Sequence, residues 1–252
     1  MPRVSLVGNG HGGSEDYATL ALWWTSESSV DYGVGNKIEA ACLGYCGAST
    51  SISGTTPRGY HVYSQGTQFD GTNKTSLAVT KTLALSSSNG VVEDILIQNN
   101  GNAGALVHSA SDTEVNRCYI EFTEARALLL VQAYDATTNR VFNKCIVDAT
   151  NSTFSDVFYT SNSREFTLNN CSIFGGGDSF YSTGSSTLHK LVNCFVFDSS
   201  GNCYGAESKV NCASQDGTGS TGWTGYTSAE LVNFAGGDFR TKSTSDLADD
   251  GA

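Results

Sequence analysis

Two carboxylates stand at matched places along this chain. Glu121 follows Cys118 by three residues, and Asp148 follows Cys145 by three. Asp198 comes four residues after Cys194. Hydrolysis of a glycosidic bond needs two carboxyl groups roughly 5–10 Å apart across the bond. Neighbouring, stacked segments would bring Glu121 and Asp148 to that separation. The plainer expectation is a solvated edge of acidic side chains on an acidic protein. Other chemistry is sparse. His11 lies in the Gly-rich stretch of residues 8–13, but no strand and helix flank it as a phosphate-binding loop requires, so a flexible lead-in is expected. His61, His108 and His189 hold no fixed spacing to a nucleophile. Arg240 and Lys242 fall in a C-terminal segment where a strand or cap role is expected. The spacing Cys42-x-x-x-Cys46 would need further ligands to hold a metal. The chain carries no nucleophile elbow, P-loop or zinc signature, so neither a cofactor nor a metal is expected.

The elements that must position these residues announce themselves as a repeat. An apolar residue, Asn, any residue, Cys, any residue, then Ile or Val recurs as Val115-Asn116-Arg117-Cys118-Tyr119-Ile120, Phe142-Asn143-Lys144-Cys145-Ile146-Val147 and Leu168-Asn169-Asn170-Cys171-Ser172-Ile173. It returns one residue shorter at Val192-Asn193-Cys194 and Val210-Asn211-Cys212. The Cys-to-Cys steps are 27, 26, 23 and 18 residues. Repeats of this length mean stacked units. Val92-Glu93-Asp94-Ile95-Leu96-Ile97 fits the same template, with Glu93 in the Asn slot and Ile95 in the Cys slot.

Each hexapeptide reads as two strands meeting at a corner. Alternation puts Cys118 and Ile120 inward and Arg117 and Tyr119 outward. Asn116, Asn143, Asn169, Asn193 and Asn211 are expected at the bend, because Asn tolerates left-handed backbone. A column of Asn side chains can also bond from rung to rung. Shorter second strands fit Ala105-Leu106-Val107, residues 127–131, Val157-Phe158-Tyr159, Phe180-Tyr181 and Cys203-Tyr204. Turn-forming Gly, Ser, Thr, Asn and Asp fill the gaps. The fold class expected is all-β: a right-handed parallel β-helix solenoid, with roughly seven to nine rungs spaced about 4.8 Å apart.

A column needs lids. Residues 1–36 are expected as a lead-in and capping helix, residues 37–230 as the β-helix and residues 231–252 as an irregular C-terminal cap. Ser14 or Asp16 would cap a helix starting near Tyr17, with Tyr17, Leu20, Ala21 and Trp24 on its apolar face.

Composition narrows partners. A net charge of −11 and the lack of a basic cluster argue against nucleic acid. No apolar run is long enough for a membrane span. The first thirteen residues lack a basic start and apolar core, so no secretory signal is expected. Cys118, Cys145, Cys171, Cys194 and Cys212 are therefore expected as a buried, reduced ladder. Stacked in-register side chains point the same way, which disfavours the disulfide torsion.

The second-strand column is apolar on both parities. If Leu106, Leu128, Leu130, Phe158 and Phe180 face the core, then Val107, Leu129, Val131, Tyr159 and Tyr181 face outward; reversed parity exchanges the sets. Either way an apolar outer stripe results, and it suits a homotrimer unless a long turn or the C-terminal tail covers it.

Residues at both ends carry a resemblance. Gly12-Gly13-Ser14-Glu15-Asp16-Tyr17-Ala18-Thr19-Leu20, with Trp23 or Trp24 after it, resembles the opening of many phage-encoded right-handed β-helix proteins. Phe234-Ala235-Gly236-Gly237-Asp238-Phe239-Arg240-Thr241-Lys242-Ser243, with Ser245, Asp249 and Gly251, is similar to the closing segment of pectate-lyase-like repeat proteins. The Arg-x-x-Pro-x-x-Arg signature and the Gly-His-Gly triplet of the pectin-cleaving members are absent, so no catalytic residue carries over. The resemblance implies the fold. Together with the missing secretory signal, the missing catalytic motifs and an apolar stripe suited to a symmetric oligomer, the phage-like opening favours a non-enzymatic structural protein of a bacteriophage particle, a capsid decoration protein or a tail-associated one. Its partners would be itself and the major capsid or another virion protein, and its location the virion. The alternative is a polysaccharide-binding or -cleaving β-helix, with Tyr119, Tyr159, Tyr181 and Trp223 stacking on sugars. A surface adhesin is a third reading.

Overall fold

The computed structural model describes residues 4–33, 36–48, 50–53, 59–66, 68–71, 74–87, 89–99, 106–108, 113–122, 131–133, 140–151, 157–160, 166–182, 189–197, 200–201, 208–216, 218, 228–233 and 238–244. Among the described residues, three parallel sheets run along one column. The first has nine strands, from Val4–Val7 to Ser208–Val210. The second has seven, from Ala78–Thr80 to Ala213–Ser214, and the third has six, from Thr50–Ile52 to Phe180–Ser182. Every pairing among them is parallel and in register from rung to rung. The right-handed parallel β-helix expected from the repeat is the fold. Its sheet begins inside the expected lead-in, because Val4–Val7 already pairs with Ile38–Cys42.

The interior is a stack of like residues. Val92, Val115, Phe142, Leu168 and Leu191 form one fully buried column of the first sheet. Ile97, Ile120, Val147, Ile173 and Val196 form the matching column of the second. Each large side chain so buried stabilises the column by about 1.5–3 kcal/mol. Where rungs are wide, aromatic rings fill the space. Phe158 stacks on Phe180 at 5.3 Å, and Phe142 and Phe166 meet Phe158 edge-on. Gly90 is required beneath the buried Tyr60 ring, because a Cβ there would lie 2.0 Å from Tyr60 Cζ.

The corner differs by one residue from the expectation. Left-handed backbone falls on Asp94, Arg117, Lys144 and Asn170, with φ of 52° to 57°. Asn116, Asn143 and Asn169 are instead the last residues of their strands. Only Asn193 and Asn211 sit at the bend, at φ 52°. The shorter repeats are therefore aligned one place off: Leu191 pairs with Leu168, and Val192 pairs with Asn169. Val210 pairs with Val192 on the outer column and is 52% exposed. Alternation reports which face a residue takes but is blind to where the chain turns. The turn is visible in the hydrogen bonds, which reverse direction across it. The Arg117, Lys144, Asn170 and Asn193 N–H groups donate forward to the next rung, whereas those of Ile146, Ser172, Phe195 and Ala213 donate back.

The cap helix spans Leu20–Glu27 and buries Leu20, Trp23, Trp24 and Glu27. Thr19 caps it, its hydroxyl accepting from Leu22 N at 3.3 Å. Neither Ser14 nor Asp16 can do so. The Asp16 and Tyr17 N–H groups both donate to Leu6 O, which holds this stretch beside the first strand. Tyr17 and Tyr32 donate their hydroxyls to the two carboxylate oxygens of buried Glu27, each at 2.5 Å. Residues 8–13 are likewise no loose lead-in. Gly10 N donates to Leu43 O, Asn9 N to Tyr45 O, and the Asn9 side chain accepts from Tyr45 N.

The second sheet is apolar on its outer face too. Leu96, Tyr119, Ile146, Phe174 and Phe197 pack there against Phe69, Leu77 and Leu231. Residues 68–71 and 74–77 and the strand Leu231–Asn233 thus roof that face. The latter pairs antiparallel with Asp238–Thr241. In the third sheet Val131 pairs with Leu106 and with buried Phe158, so it shares their position. Gln132, not Val131, falls in line with Val107, Tyr159 and Tyr181. Leu128, Leu129 and Leu130 lie outside the described residues, as do Cys203, Asp198 and Trp223. No described helix is long and apolar enough to cross a membrane.

Candidate functional site

The expected carboxylate pair is in register, Glu121 opposite Asp148 on adjacent rungs of the second sheet. It is not a solvated edge. Glu121 is 5% exposed; Lys74 Nζ pairs with its Oε2, and Gln98 Nε2 donates to its Oε1 at 2.7 Å. Lys74 also stands over the Tyr119 ring, 4.5 Å from its centre. Tyr119 is fully buried, so it offers no face to a sugar, and its hydroxyl donates to Asp148 Oδ2 at 2.8 Å. Burial first, and then the Asp148 carboxylate, push the Tyr119 hydroxyl well above its ordinary pKa. Asp148 Oδ1 accepts from Thr150 N and Oγ1. Both carboxylates are thus engaged by protein partners, and Glu121 lies beneath Lys74. Spacing alone could not reveal this, because the cover comes from a segment about fifty residues upstream.

The cysteine ladder runs beside the corner. Cys118, Cys145, Cys171, Cys194 and Cys212 are free and buried. Ladder thiols bond backbone carbonyls of the preceding rung. Cys145 Sγ donates to Val115 O at 3.2 Å, Cys171 to Phe142 O at 3.5 Å and Cys194 to Leu168 O at 3.4 Å. Burial pushes the Cys118 thiol up to about 12. Outside the ladder, Asn143 Nδ2 donates to Asn116 Oδ1 at 2.8 Å and Asn169 Nδ2 to Asn143 Oδ1 at 2.9 Å. One place along, Asn193 donates to Asn170 at 3.1 Å. The asparagines form two short columns rather than one.

The corner column forms one wall of a groove of about 410 Å³. Gln68, Phe69, Asp70 and Gly71 make the other wall, and Cys145, Ile146 and Ser172 the floor, with Arg117, Lys144 and Asn170 along the rim. The far wall is tied to the corner. Asp94 Oδ1 accepts from Phe69 N at 2.8 Å, and Phe69 packs edge-on against Tyr119. Arg117 bonds both Asp94 and Glu93, and Glu93 in turn accepts His61 Nε2 at 2.8 Å. Lys144, Asn170, Gln68 and Asp70 remain exposed. Donors and acceptors of both signs thus border a floor that includes Cys145 and Ile146. Sequence reasoning missed the groove, although Lys144 and Arg117 lay inside its repeat.

Comparison with known proteins agrees with the rungs. A family model for the right-handed β-helix region matches residues 48–203. The chain belongs to the right-handed β-helix family. Two crystal structures of the pectin methylesterase from Aspergillus niger, in deglycosylated and penultimately deglycosylated form, resemble this β-helix at 12% identity. They cover 85% and 87% of this chain and 84% of their own, with TM-scores of 0.43. No curated protein matches the sequence.

The remaining candidates in this β-helix are scattered. His189 is buried and its Nδ1 accepts from Phe166 N at 3.2 Å. His11 Nε2 bonds Val7 O at 3.1 Å within the cap. Lys242 Nζ donates to Ala229 O beside the terminal hairpin. No cluster of three or more metal-binding side chains occurs among the described residues.

Proposed function

We propose that this right-handed β-helix protein binds a polysaccharide chain in the groove between residues 68–71 and the corner column, without cleaving it. One observation carries the reading: Lys144 is an exposed lysine on the groove rim in left-handed backbone, at φ 55°. That conformation costs a residue with a Cβ about 1–2 kcal/mol; the other corner residues share it, and Lys144 is the one that carries it with an exposed ammonium on the groove. Asn or Gly would relieve it, yet the rim keeps a cation there. Exposed amides, a carboxylate and an ammonium over a floor that includes Cys145 and Ile146 suit the hydroxyls and ring faces of sugars. The non-catalytic part rests on Glu121 and Asp148, both occupied by protein partners.

A screen of immobilised bacterial and plant polysaccharides, followed by calorimetry, tests this. Binding should fall at least tenfold in Lys144→Ala and Asn170→Ala. No binding, or binding untouched by both variants, overturns the groove. Polymer turnover lost in Glu121→Gln or Asp148→Asn overturns the non-catalytic reading.

A second reading places the chain in a phage particle as a decoration protein, packed as a homotrimer on the major capsid protein. The phage-like residues 12–24 support it, as does the register that aligns Tyr159 with Tyr181. Sedimentation should then give a trimer that Tyr159→Asp dissociates; a stable wild-type monomer removes this reading.

A further inference from the structure

Two thiols outside the ladder meet under the cap. Cys42 ends the second strand of the first sheet, and Cys46 follows a turn through Gly44 at φ 70°. Cys42 stands opposite Val7 in the parallel ladder, and Cys46 Sγ donates to that same Val7 O at 3.6 Å. Both cysteines therefore stand beside Val7, in the same buried core. Both are fully buried, and Gly8 lies so close that a Cβ on it would come within 2.7 Å of Cys46 Sγ.

The turn between them is the junction of the cap. Leu43 N donates to Val7 O, Cys46 N to Val79 O, and Cys46 O accepts Leu20 N at the start of the helix. Whatever stiffens residues 42–46 therefore holds the first strand, the helix and the second sheet together.

We propose that Cys42 and Cys46 form a reversible intramolecular disulfide, a modification site that locks the N-terminal cap of the column. The ladder thiols project in parallel from successive rungs, which opposes the torsion of about 90° that a disulfide requires. Cys42 and Cys46 approach from a strand and from the turn that leaves it, so their Cβ vectors need not be parallel. Burial first, and then the nearby Cys46 thiol, raise the Cys42 pKa, whereas the Cys42 thiol lowers that of Cys46. Cys46 is thus the thiolate that attacks. With a small dialkyl disulfide as oxidant, Cys46 Sγ bonds to one of its sulfurs and the other leaves as a thiolate. Cys42 then attacks Cys46 Sγ, and the second small thiolate leaves. The two thiol protons end on the two small thiols, so the protein is oxidised by two electrons and the reagent reduced by two. Because the site lies at the end of the column, opening of the cap admits the reagent without unfolding the rungs.

The test is incubation of the intact protein with 2-hydroxyethyl disulfide, then trapping of free thiols and peptide mapping. The expected product has lost two hydrogens, with Cys42 linked to Cys46 and the ladder cysteines alkylated only after denaturation. Hydrogen exchange of the helix Leu20–Glu27 should slow on the order of tenfold in the oxidised form, since the bond removes opened states. Dithiothreitol should reverse both changes. A bond joining ladder cysteines or Cys203, mixed disulfides alone, or no oxidation at equilibrium overturns the site. Unchanged exchange of the helix in the cross-linked protein overturns the lock. Cys46→Ser and Cys42→Ser should each stop the bond, but the wild-type map decides the matter even if these variants fold poorly.

Discussion

Arg117 grips Asp94 from one rung above, its Nε 2.9 Å from Oδ1 and its Nη2 2.8 Å from Oδ2. Both residues hold the same left-handed corner position in consecutive rungs. The fork geometry matches a carboxylate, and Asp94 is only 5% exposed. Hydrogen bonding by Asp94 is the first reason that the Arg117 pKa lies above its ordinary value. Since Asp94 also accepts Phe69 N–H, this pair fastens the groove's far wall to the column.

Arg117→Ala should therefore destabilise the protein by about 1.5–3 kcal/mol, the range for a hydrogen-bonded charged group left without its partner. Proteolysis of the native chain within residues 65–77 should accelerate as well. Denaturant unfolding and limited proteolysis read the two effects. An Arg117→Ala protein of unchanged stability and cleavage pattern contradicts the fastening role.

Lys144→Asn should do the opposite. Asn accepts φ near 55° more readily than Lys, so stability should rise by about 0.5–1 kcal/mol. Polysaccharide binding should weaken in the same variant. A loss of stability would show that the Lys144 stem packs on the groove more than the backbone strain costs.

Cys145→Asp should fail to fold or should aggregate. A carboxylate at this buried slot is cut off from water inside the packed column, which costs several kcal/mol. Cys145→Ala loses a small buried group and one weak bond to Val115 O, about 1–2 kcal/mol. Expression yield and thermal melts separate them. Equal behaviour of the two variants would mean that the slot is not part of the packed core.

Alkali should unfold the column early. The Cys118, Cys171, Cys194 and Cys212 thiols and the Tyr60 and Tyr119 hydroxyls all have pKa values raised in the fold. An unfolded thiol starts to ionise near its ordinary value of 9.0, while folded Cys118 keeps its proton to about 12. The unfolded state then binds fewer protons, so stability is fully present below pH 9 and falls as pH rises through that window. Each such group contributes up to about 1.4 kcal/mol per pH unit. Urea midpoints from neutral to alkaline pH check this, and Cys118→Ala should flatten the slope. Constant stability between about pH 8 and about pH 10.5 would contradict it.

The sequence by itself determined the column. Val115, Phe142 and Leu168 recur at one inward slot, and Cys118, Cys145 and Cys171 at another. A solenoid repeats its contacts once per rung, so each repeat restates the same local requirement and the pattern accumulates. Three things were settled only in three dimensions. The first is the corner: alternation of period two cannot say which of Asn116 or Arg117 turns, because that depends on which N–H groups meet the next rung. The second is the phase of the third sheet, where Val131 joins Phe158 instead of Tyr159. Loops of unequal length precede those strands, and only pairing fixes their register. The third is cover. Tyr119 and Glu121 face outward as alternation requires, yet both are buried, because Phe69 and Lys74 from a distant segment lie across them. Repeats encode what a rung does to its neighbour; only the tertiary fold decides which segments leave the rungs to close a face or to wall the groove beside Lys144.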